Sequence, residues 1–501
     1  MPYSTVVRAV LASVIAKQLD QEIRARIERS VTDMVSAALR FASKPVTPVS
    51  TAAFEQEVSG QVRELGRQVL EATYNQIEPD ASADMPPLLH WEATTYRPVG
   101  QKTPNRNVAS LFGTLTLWRH GYRSRQRDDG EAVIFPLEMT LGLREGTTPA
   151  LADRFGVLFA ETGATQQRVL QRLRTDHGVV MGVKRMRALA SSLSEAMTVH
   201  RQECQVQRLL AMLQEAADSK GRYRPVLSVG RDGITLGEQP HGFFEVASTA
   251  TLTVFNRASK RLGTVSLAFR PEYGQGTISD QLTALLEETL RRWQGDLPRL
   301  CYVTDAGDNE VGYYRRVLRH MRHPRTGKKL EWSWIVDYFH ASQRLTTMAE
   351  ALFGSGRKAD AWAAKMRKLL KKPSGVRRVL HSAAALKARL GLRRHVQAAF
   401  RRAYNYLRQR SKYMRYADWR RVGLPIGSGI TEAACKTIFT QRLKLSGMRW
   451  KRQGAQVVLN LRVILLSGIW EHAYTAMLQS HTQARPRSCG SFQARPARKA
   501  A

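Results

Sequence analysis

Between residues 224 and 340 the hydrophobic period of the chain changes several times, and that succession limits the fold more than any other feature. RPVLSVGRDGITLG, GFFEVASTATLTVFN and RLGTVSLAF read as three strands in series. SDQLTALLEETLRRWQ (279–294) reads as helix, LPRLCYVTDAG (297–307) as strand, NEVGYYRRVLRHM as helix and LEWSWIVDYFH (330–340) as strand. The order βββαβαβ predicts an antiparallel meander followed by crossover units, hence an α/β mixed sheet with helices on its faces. After His340 the chain reads as helical to about 480, broken mainly at Pro373-Ser374-Gly375 and at Leu424-Pro425-Ile426-Gly427-Ser428-Gly429.

Upstream the signal is mixed, so the whole is α+β. Residues 1–85 read as a helical region, from QEIRARIERSVTDMVSAALRFA and FEQEVSGQVRELGRQVLEATYNQIE. A Pro-rich joint at 79–92 leads into a small β element within 86–147, with NVASLFGTLTLWRHGYRSRQ, a polar turn RDDGE and VIFPLEM. TPALADRFGVLFAE, TQQRVLQRLR and GVKRMRALASSLSEAM then form a helical region at 148–215. Its last two helices, joined at TDHG, have the pattern of a helix-turn-helix. The last helix opens with Lys184, Arg185 and Arg187, which suit phosphates or guanine edges. A helical dimerisation arm is the other reading of that hairpin.

Charge divides the chain unevenly. It carries 78 Lys+Arg against 42 Asp+Glu, a net of +36. Residues 1–340 hold only +7 of this, with 44 basic and 37 acidic residues. Residues 341–421 hold 22 basic and 3 acidic residues, and 422–501 hold 12 and 2. A solvated basic face is normally balanced by acids four residues away. A segment at +19 without them repels itself unless a polyanion lies on it, so 341–421 reads as a nucleic-acid contact, with Lys368, Lys371, Lys372, Arg377 and Arg378 as its densest cluster. The basic tail at 481–501 reads as disordered. Four well-separated cysteines without a CxxC exclude a zinc finger and favour a reducing, cytoplasmic compartment. The apolar run VVLNLRVILLSGIW is too short, and too interrupted by Asn460 and Arg462, to span a membrane.

Three acids stand out by position. Asp232 follows Val226-Leu227-Ser228-Val229, Asp305 ends Leu300-Cys301-Tyr302-Val303-Thr304, and Glu432 opens the helix TEAACKTIFTQRLK. Ligands bind at the strand ends of open sheets. If the first strand neighbours the strand ending at Asp305, the two carboxylates converge, and a third from a packed helix completes a site for hard divalent cations. Each acid taken alone reads more readily as a turn former or, for Glu432, a helix first-turn charge, and only the three together, beside the basic segment, favour a catalytic group. Arg231 could pair with Asp232 or point to DNA, and Asp308 competes with Asp305 for the second position.

These residues resemble a known family. PIGSGITEAACKTIFTQRLKLSGMRWKRQGAQVVLNLR resembles the catalytic-Glu block of bacterial insertion-sequence DDE transposases of the ISKra type. VTDAGDNEVGYYRRVL and WIVDYFHASQRL are similar to that group's second-Asp block and to the D-x-x-H motif shared with Mutator-like elements. The resemblance covers roughly 225–475, and more weakly 90–200. It implies an RNase H-like catalytic core at 224–340 and 422–480, interrupted by the basic helical insertion at 341–421. It assigns Asp232, Asp305 and Glu432 to catalysis and to two Mg2+ or Mn2+ ions, with Asp337 and His340 nearby. For Asp337 and His340 a helix-capping Asp with a half-buried His is the competing reading. The implied partners are double-stranded DNA, as element ends and target, and further copies of the chain in a homodimer or larger assembly on the nucleoid. Arg449, Lys451 and Arg452 read as phosphate contacts, and Trp450 as either a base-stacking or a core residue. A non-catalytic DNA-binding copy and another RNase H-like nuclease fit the same residues.

Overall fold

The computed structural model describes residues 5–92, 94–124, 133–237, 244–445, 448–483 and 487–488. The chain divides into two compact units, one of residues 1–159, 164–196 and 474–501, the other of residues 160–163 and 197–473.

In the first unit α1 (Thr5–Ala42) and α2 (Pro48–Asn75) form an antiparallel hairpin. Thr47 starts α2 with a reciprocal cap, its hydroxyl accepting from Ser50 N at 3.1 Å. Five strands follow: β1 (Leu89–Trp91), β2 (Thr94–Pro98), β3 (Thr103–Ser110), β4 (Gly113–Arg119) and β5 (Tyr122–Ser124). β3 and β4 pair as a hairpin whose alternate residues Val108, Leu115 and Leu117 enter the core. The sequence pattern placed a strand at VIFPLEM, but Pro136 there opens the short helix α3 (Pro136–Thr140), because proline's fixed φ suits a first helical turn and it donates no ladder hydrogen bond. RDDGE lies outside the described residues. α4 (Pro149–Ala160), α5 (Gln166–His177) and α6 (Val183–Asp218) are the three expected helices. Gly178 ends α5 in the left-handed conformation. α6 is far longer than the sequence pattern indicated. From Met197 on it belongs to the second unit, where Val206, Leu209, Met212, Leu213 and Ala216 join the main core.

That core lies around a mixed sheet of β6 (Val226–Gly237), β7 (Phe244–Phe255), β8 (Arg261–Phe269), β9 (Arg299–Thr304) and β10 (Trp332–Val336), in the spatial order β10-β9-β6-β7-β8. β6, β7 and β8 form the expected antiparallel meander. β9 and β10 run parallel to β6, reached through α7 (Gly276–Arg292) and α8 (Asp308–Arg316). The fold is thus mixed α/β, with the βββαβαβ order that the periodicity implied. The last strand is shorter than expected. Val336 ends it, and Asp337 caps α9 (Tyr338–Phe353), its carboxylate accepting from His340 N.

The basic segment forms α9, α10 (Arg357–Leu370), α11 (Gly375–Leu390), α12 (Gln397–Arg410) and α13 (Tyr416–Arg421). It has one small cluster of its own, Ala349, Ala359 and Ala363 with Phe353 and Trp362, and otherwise joins the main core. Met366, Leu370, Val379, Phe400 and Leu407 are buried in one cluster with the sheet residues. α14 (Gly429–Cys435) continues into a π-helical turn at Lys436–Thr440, then α15 (Gln441–Leu443) and α16 (Arg452–Leu466). α17 (Trp470–Gln483) carries the chain back into the first unit, where His481 Nε2 lies 2.8 Å from Met139 O. The tail, expected to be disordered from 481, is helical to Gln483, and β11 (Arg487–Ser488) pairs with β1 as the edge of a sheet ordered β11-β1-β2-β5. A two-residue strand carries too little pattern to be read from sequence. The rest of the tail lies outside the described residues. No helix among the described residues is long and apolar enough to cross a membrane.

Candidate active site

Because β9 and β10 run parallel to β6, their carboxyl ends share one edge of the sheet. Asp305 and Asp337 are the next residues after those two strands. β6 pairs with β9 only as far as Gly230 opposite Val303, and continues past it on β7 with Asp232 opposite Thr249. Gly230 and Asp232 face one side of the sheet, Arg231 the other. α14 seats on the Gly230 side. A Cβ at Gly230 would lie 2.0 Å from Thr431 Oγ1, and Thr431 is hydrogen-bonded to Thr251 at 2.8 Å. The missing side chain at Gly230 therefore lets α14 approach, and the next residue on α14 is Glu432.

Asp232 shows the result. Burial pushes its carboxyl from the ordinary 3.8 up to about 6, Gly233 N–H opposes this by donating to Oδ1 at 2.8 Å, and the charges of Asp305 and Glu432 raise it further. Asp232 is thus close enough to both other sequence-predicted carboxylates to be repelled by them. Asp308, the alternative second acid, is exposed at the start of α8, whereas Asp305 acts on Asp232, Glu310 and His340. A repelling set of oxygen donors of this kind fits hard divalent cations.

Glu310 was not legible in the sequence. It lies on the first turn of α8, only 7% exposed, and is pushed up by burial and by Asp305 and Asp232. An acid at a helix start looks like a dipole charge, and no local signal separates the two.

Asp337 and His340 show the capping geometry of the D-x-x-H reading, and they lie against Glu432. Asp337 is fully buried. Its Oδ2 accepts from His340 N at 2.7 Å and His340 Nδ1 lies 2.8 Å away, while Oδ1 accepts from Ser428 N at 2.7 Å. Burial alone would raise its pKa, but these hydrogen bonds hold it below the usual range. Asp337 thereby caps α9 and, through Ser428, 91 residues further on, grips the loop leading to Glu432. Ser428 Oγ donates to Glu432 Oε1 at 3.1 Å, and His340 Nδ1 is 3.5 Å from the same oxygen. His340 is pushed up by the Asp337 hydrogen bond, against partial burial, and by the charges of Asp337, Asp305 and Glu432. Among the described residues, Asp337, His340 and Glu432 form the group whose possible donor atoms all lie within 4.8 Å of one another. Asp232 and Asp305 stand outside that tight group and interact with it through their charges.

Several expected roles change. Arg231 neither pairs with Asp232 nor faces outward. It is 2% exposed, donates to Gln275 Oε1 at 2.9 Å and Ser279 Oγ at 3.0 Å, and lies over the Tyr313 ring. Strand alternation puts it on the opposite face from Asp232. Arg185 is occupied too, donating to Glu145 O at 2.8 Å and Gly146 O at 2.7 Å across a turn where both residues have positive φ. It is withdrawn from the expected DNA-facing set. Lys184 is exposed, and Arg187, also exposed, donates to Gln166 Oε1 at 2.9 Å. Trp450 is anchored, donating to Leu443 O at 2.9 Å with the Arg442 guanidinium over its ring, while Arg449, Lys451 and Arg452 around it are exposed. Ser446 and Gly447 lie outside the described residues. Cys435 is buried beside Asp232 and its thiol is pushed up to about 12 by burial and that neighbour.

The basic helices flank the carboxylates. Tyr338 OH donates to Arg367 O at 3.1 Å, and Lys371 Nζ lies 5.2 Å from the Tyr338 ring. Lys368, Lys372, Arg377 and Arg378 are exposed around the same α10–α11 turn. The chain matches no protein-family model, and no curated protein matches it.

Proposed function

We propose that the chain is a DNA transposase of the DDE type, with an RNase H-like core, which cuts a phosphodiester at the ends of an insertion sequence and joins the freed strand to target DNA. The observation that carries this reading is the convergence of Asp232, Asp305 and Glu432 at the carboxyl edge of a mixed sheet, with basic helices packed alongside. The strand order β10-β9-β6-β7-β8, with β7 running opposite to the other four, supports the resemblance that the motifs suggested.

Asp232, Asp305 and Glu432 would hold Mg2+ or Mn2+, and Glu310 adds negative charge behind Asp305. Such cations supply Lewis-acid activation of the attacking and leaving oxygens. The chain's own groups orient the reaction. Asp337 fixes α9 to the Ser428 loop, and so sets where Glu432 stands. His340 Nδ1 lies 2.8 Å from Asp337 Oδ2 and 3.5 Å from Glu432 Oε1, a setting that favours the protonated ring, which would then be a proton donor for a leaving oxygen. The cations of α10 and α11 hold the phosphate backbone of double-stranded DNA without reading bases. A protein of this activity works on the nucleoid, with two copies or more bringing two ends together.

The test is incubation of purified protein with labelled element-end duplex and Mn2+, scoring nicks and joined products separately. Both products should form, and Asp232→Asn, Asp305→Asn and Glu432→Gln should each abolish both while leaving binding intact. Nicks without joining would identify a nuclease, and binding alone a non-catalytic DNA-binding protein.

A further inference from the structure

We infer that Tyr406 and Arg410, on α12 of the basic segment, are positioning residues for Asp305, so that this segment is part of the catalytic machinery as well as a DNA-holding surface. The inference rests on Asp305 being a catalytic carboxylate. Asp305 lies on a turn between β9 and α8 whose next residue, Ala306, is 2% exposed and has φ +61°. A residue with a Cβ adopts that left-handed backbone only where its surroundings impose it. The turn's own contacts are few: Gly307 N donates to Asp305 Oδ1 at 3.0 Å, and Ala306 N to Thr304 Oγ1 at 3.2 Å.

What holds its outer side comes from more than a hundred residues away. Tyr406 OH donates to Asp305 O at 2.7 Å, and Arg410 Nη2 donates to Ala306 O at 3.1 Å. Two successive carbonyls of the turn are thus gripped by one face of one helix, at i and i+4. The Tyr406 ring itself carries two guanidinium contacts, Arg410 at 4.5 Å and Arg344 at 5.0 Å from its centroid. Arg344 stands one turn after His340 on α9, so the stack ties α12 to the helix bearing the D-x-x-H pair. A side chain needed only to fill space would not require a hydroxyl aimed at the main chain of Asp305. The peptide units following Asp305 set its χ1 and the direction of its carboxylate, so their hold by α12 fixes the geometry that a cation would meet.

The full-length protein tests this in two ways. In hydrogen exchange, Tyr406→Phe should speed exchange across residues 304–308 by about tenfold, as expected for a lost part-buried hydrogen bond, while β6 and β10 stay as protected as before. In Mn2+ binding followed by electron paramagnetic resonance without DNA, the same variant should bind roughly tenfold more weakly. Ala306→Gly added to Tyr406→Phe should restore much of the Mn2+ affinity, because glycine adopts the left-handed turn without the clamp. Unchanged exchange in Tyr406→Phe, or uniform loosening of the whole core that Ala306→Gly does not relieve, would overturn the inference. Wild-type protein that binds no Mn2+ would instead refute the cation site of the proposed function, leaving the exchange arm to judge the clamp.

Discussion

Replacing Asp232 by Asn should make the metal-free protein more stable at neutral pH, although it removes a residue assigned to catalysis. The carboxyl is held at about 6 against an ordinary 3.8, chiefly by burial. A raised carboxylate pKa means that the fold prefers the neutral form. Below 3.8 the group is protonated in folded and unfolded chains alike and costs nothing. Between 3.8 and 6 the penalty grows, and above 6 it is complete. Proton linkage then gives a cost of about 3 kcal/mol at pH 7.5 and about 1 kcal/mol at pH 4.5. Asparagine matches the neutral acid in shape and keeps an oxygen to accept from Gly233 N. At about 2–4 °C per kcal/mol for a body of this size, Asp232→Asn should melt ~6–12 °C higher than wild type at pH 7.5 in EDTA, and only ~2–4 °C higher at pH 4.5. Saturating Mn2+ should narrow or reverse the difference at pH 7.5, because only wild type keeps the full set of charged ligands. Differential scanning calorimetry measures all three. A variant that melts at or below wild type at pH 7.5 in EDTA would refute the buried-charge argument, as would an equal gain at both pH values.

Two further outcomes follow from the same geometry. Asp337→Asn puts an amide donor where Oδ2 now faces His340 N–H and the His340 ring, inside a fully buried site, and should cost about 2–4 kcal/mol in urea unfolding; since the Asp337 pKa is lowered in the fold, this deficit should be full above the ordinary carboxylate range and shrink as pH falls through the folded value, and a pH-independent deficit would show that packing alone is responsible. Changing Lys368, Lys371, Lys372, Arg377 and Arg378 together to Gln should flatten the log–log salt dependence of DNA binding by about 0.9 for each phosphate that the variant no longer neutralises, without altering sequence preference, and an unaltered slope would make this cluster a solvated surface.

The order of elements was legible in the sequence because each signal is local. Local apolar runs gave β6 to β10, Gly178 and Asp337 stand at helix ends where their conformations belong, and Asp305 follows its strand as read, whereas Asp232, expected at a strand end, lies within β6 because that strand runs on to Gly237 along β7. That β9 lies beside β6 was only a condition in the sequence reading, and the strand pairing decided it. Local pattern misled where two elements share one vocabulary, as at Pro136, and could not show that α6 continues into the core of another unit. What only the tertiary structure decided is which side chains meet. Arg231 and Asp232 are adjacent in sequence yet face opposite sides of the sheet, and Arg185 looks like a DNA contact until its carbonyl partners at 145 and 146 are seen. Asp337 reaches Ser428 across 91 residues, and Tyr406 reaches Asp305 across 101. Propensity and period act over a few residues along the chain, whereas hydrogen bonds and charge interactions depend on distance in space. The sequence therefore determined the elements and the acids at their ends, and the packing of those elements determined which of the acids and cations became a site.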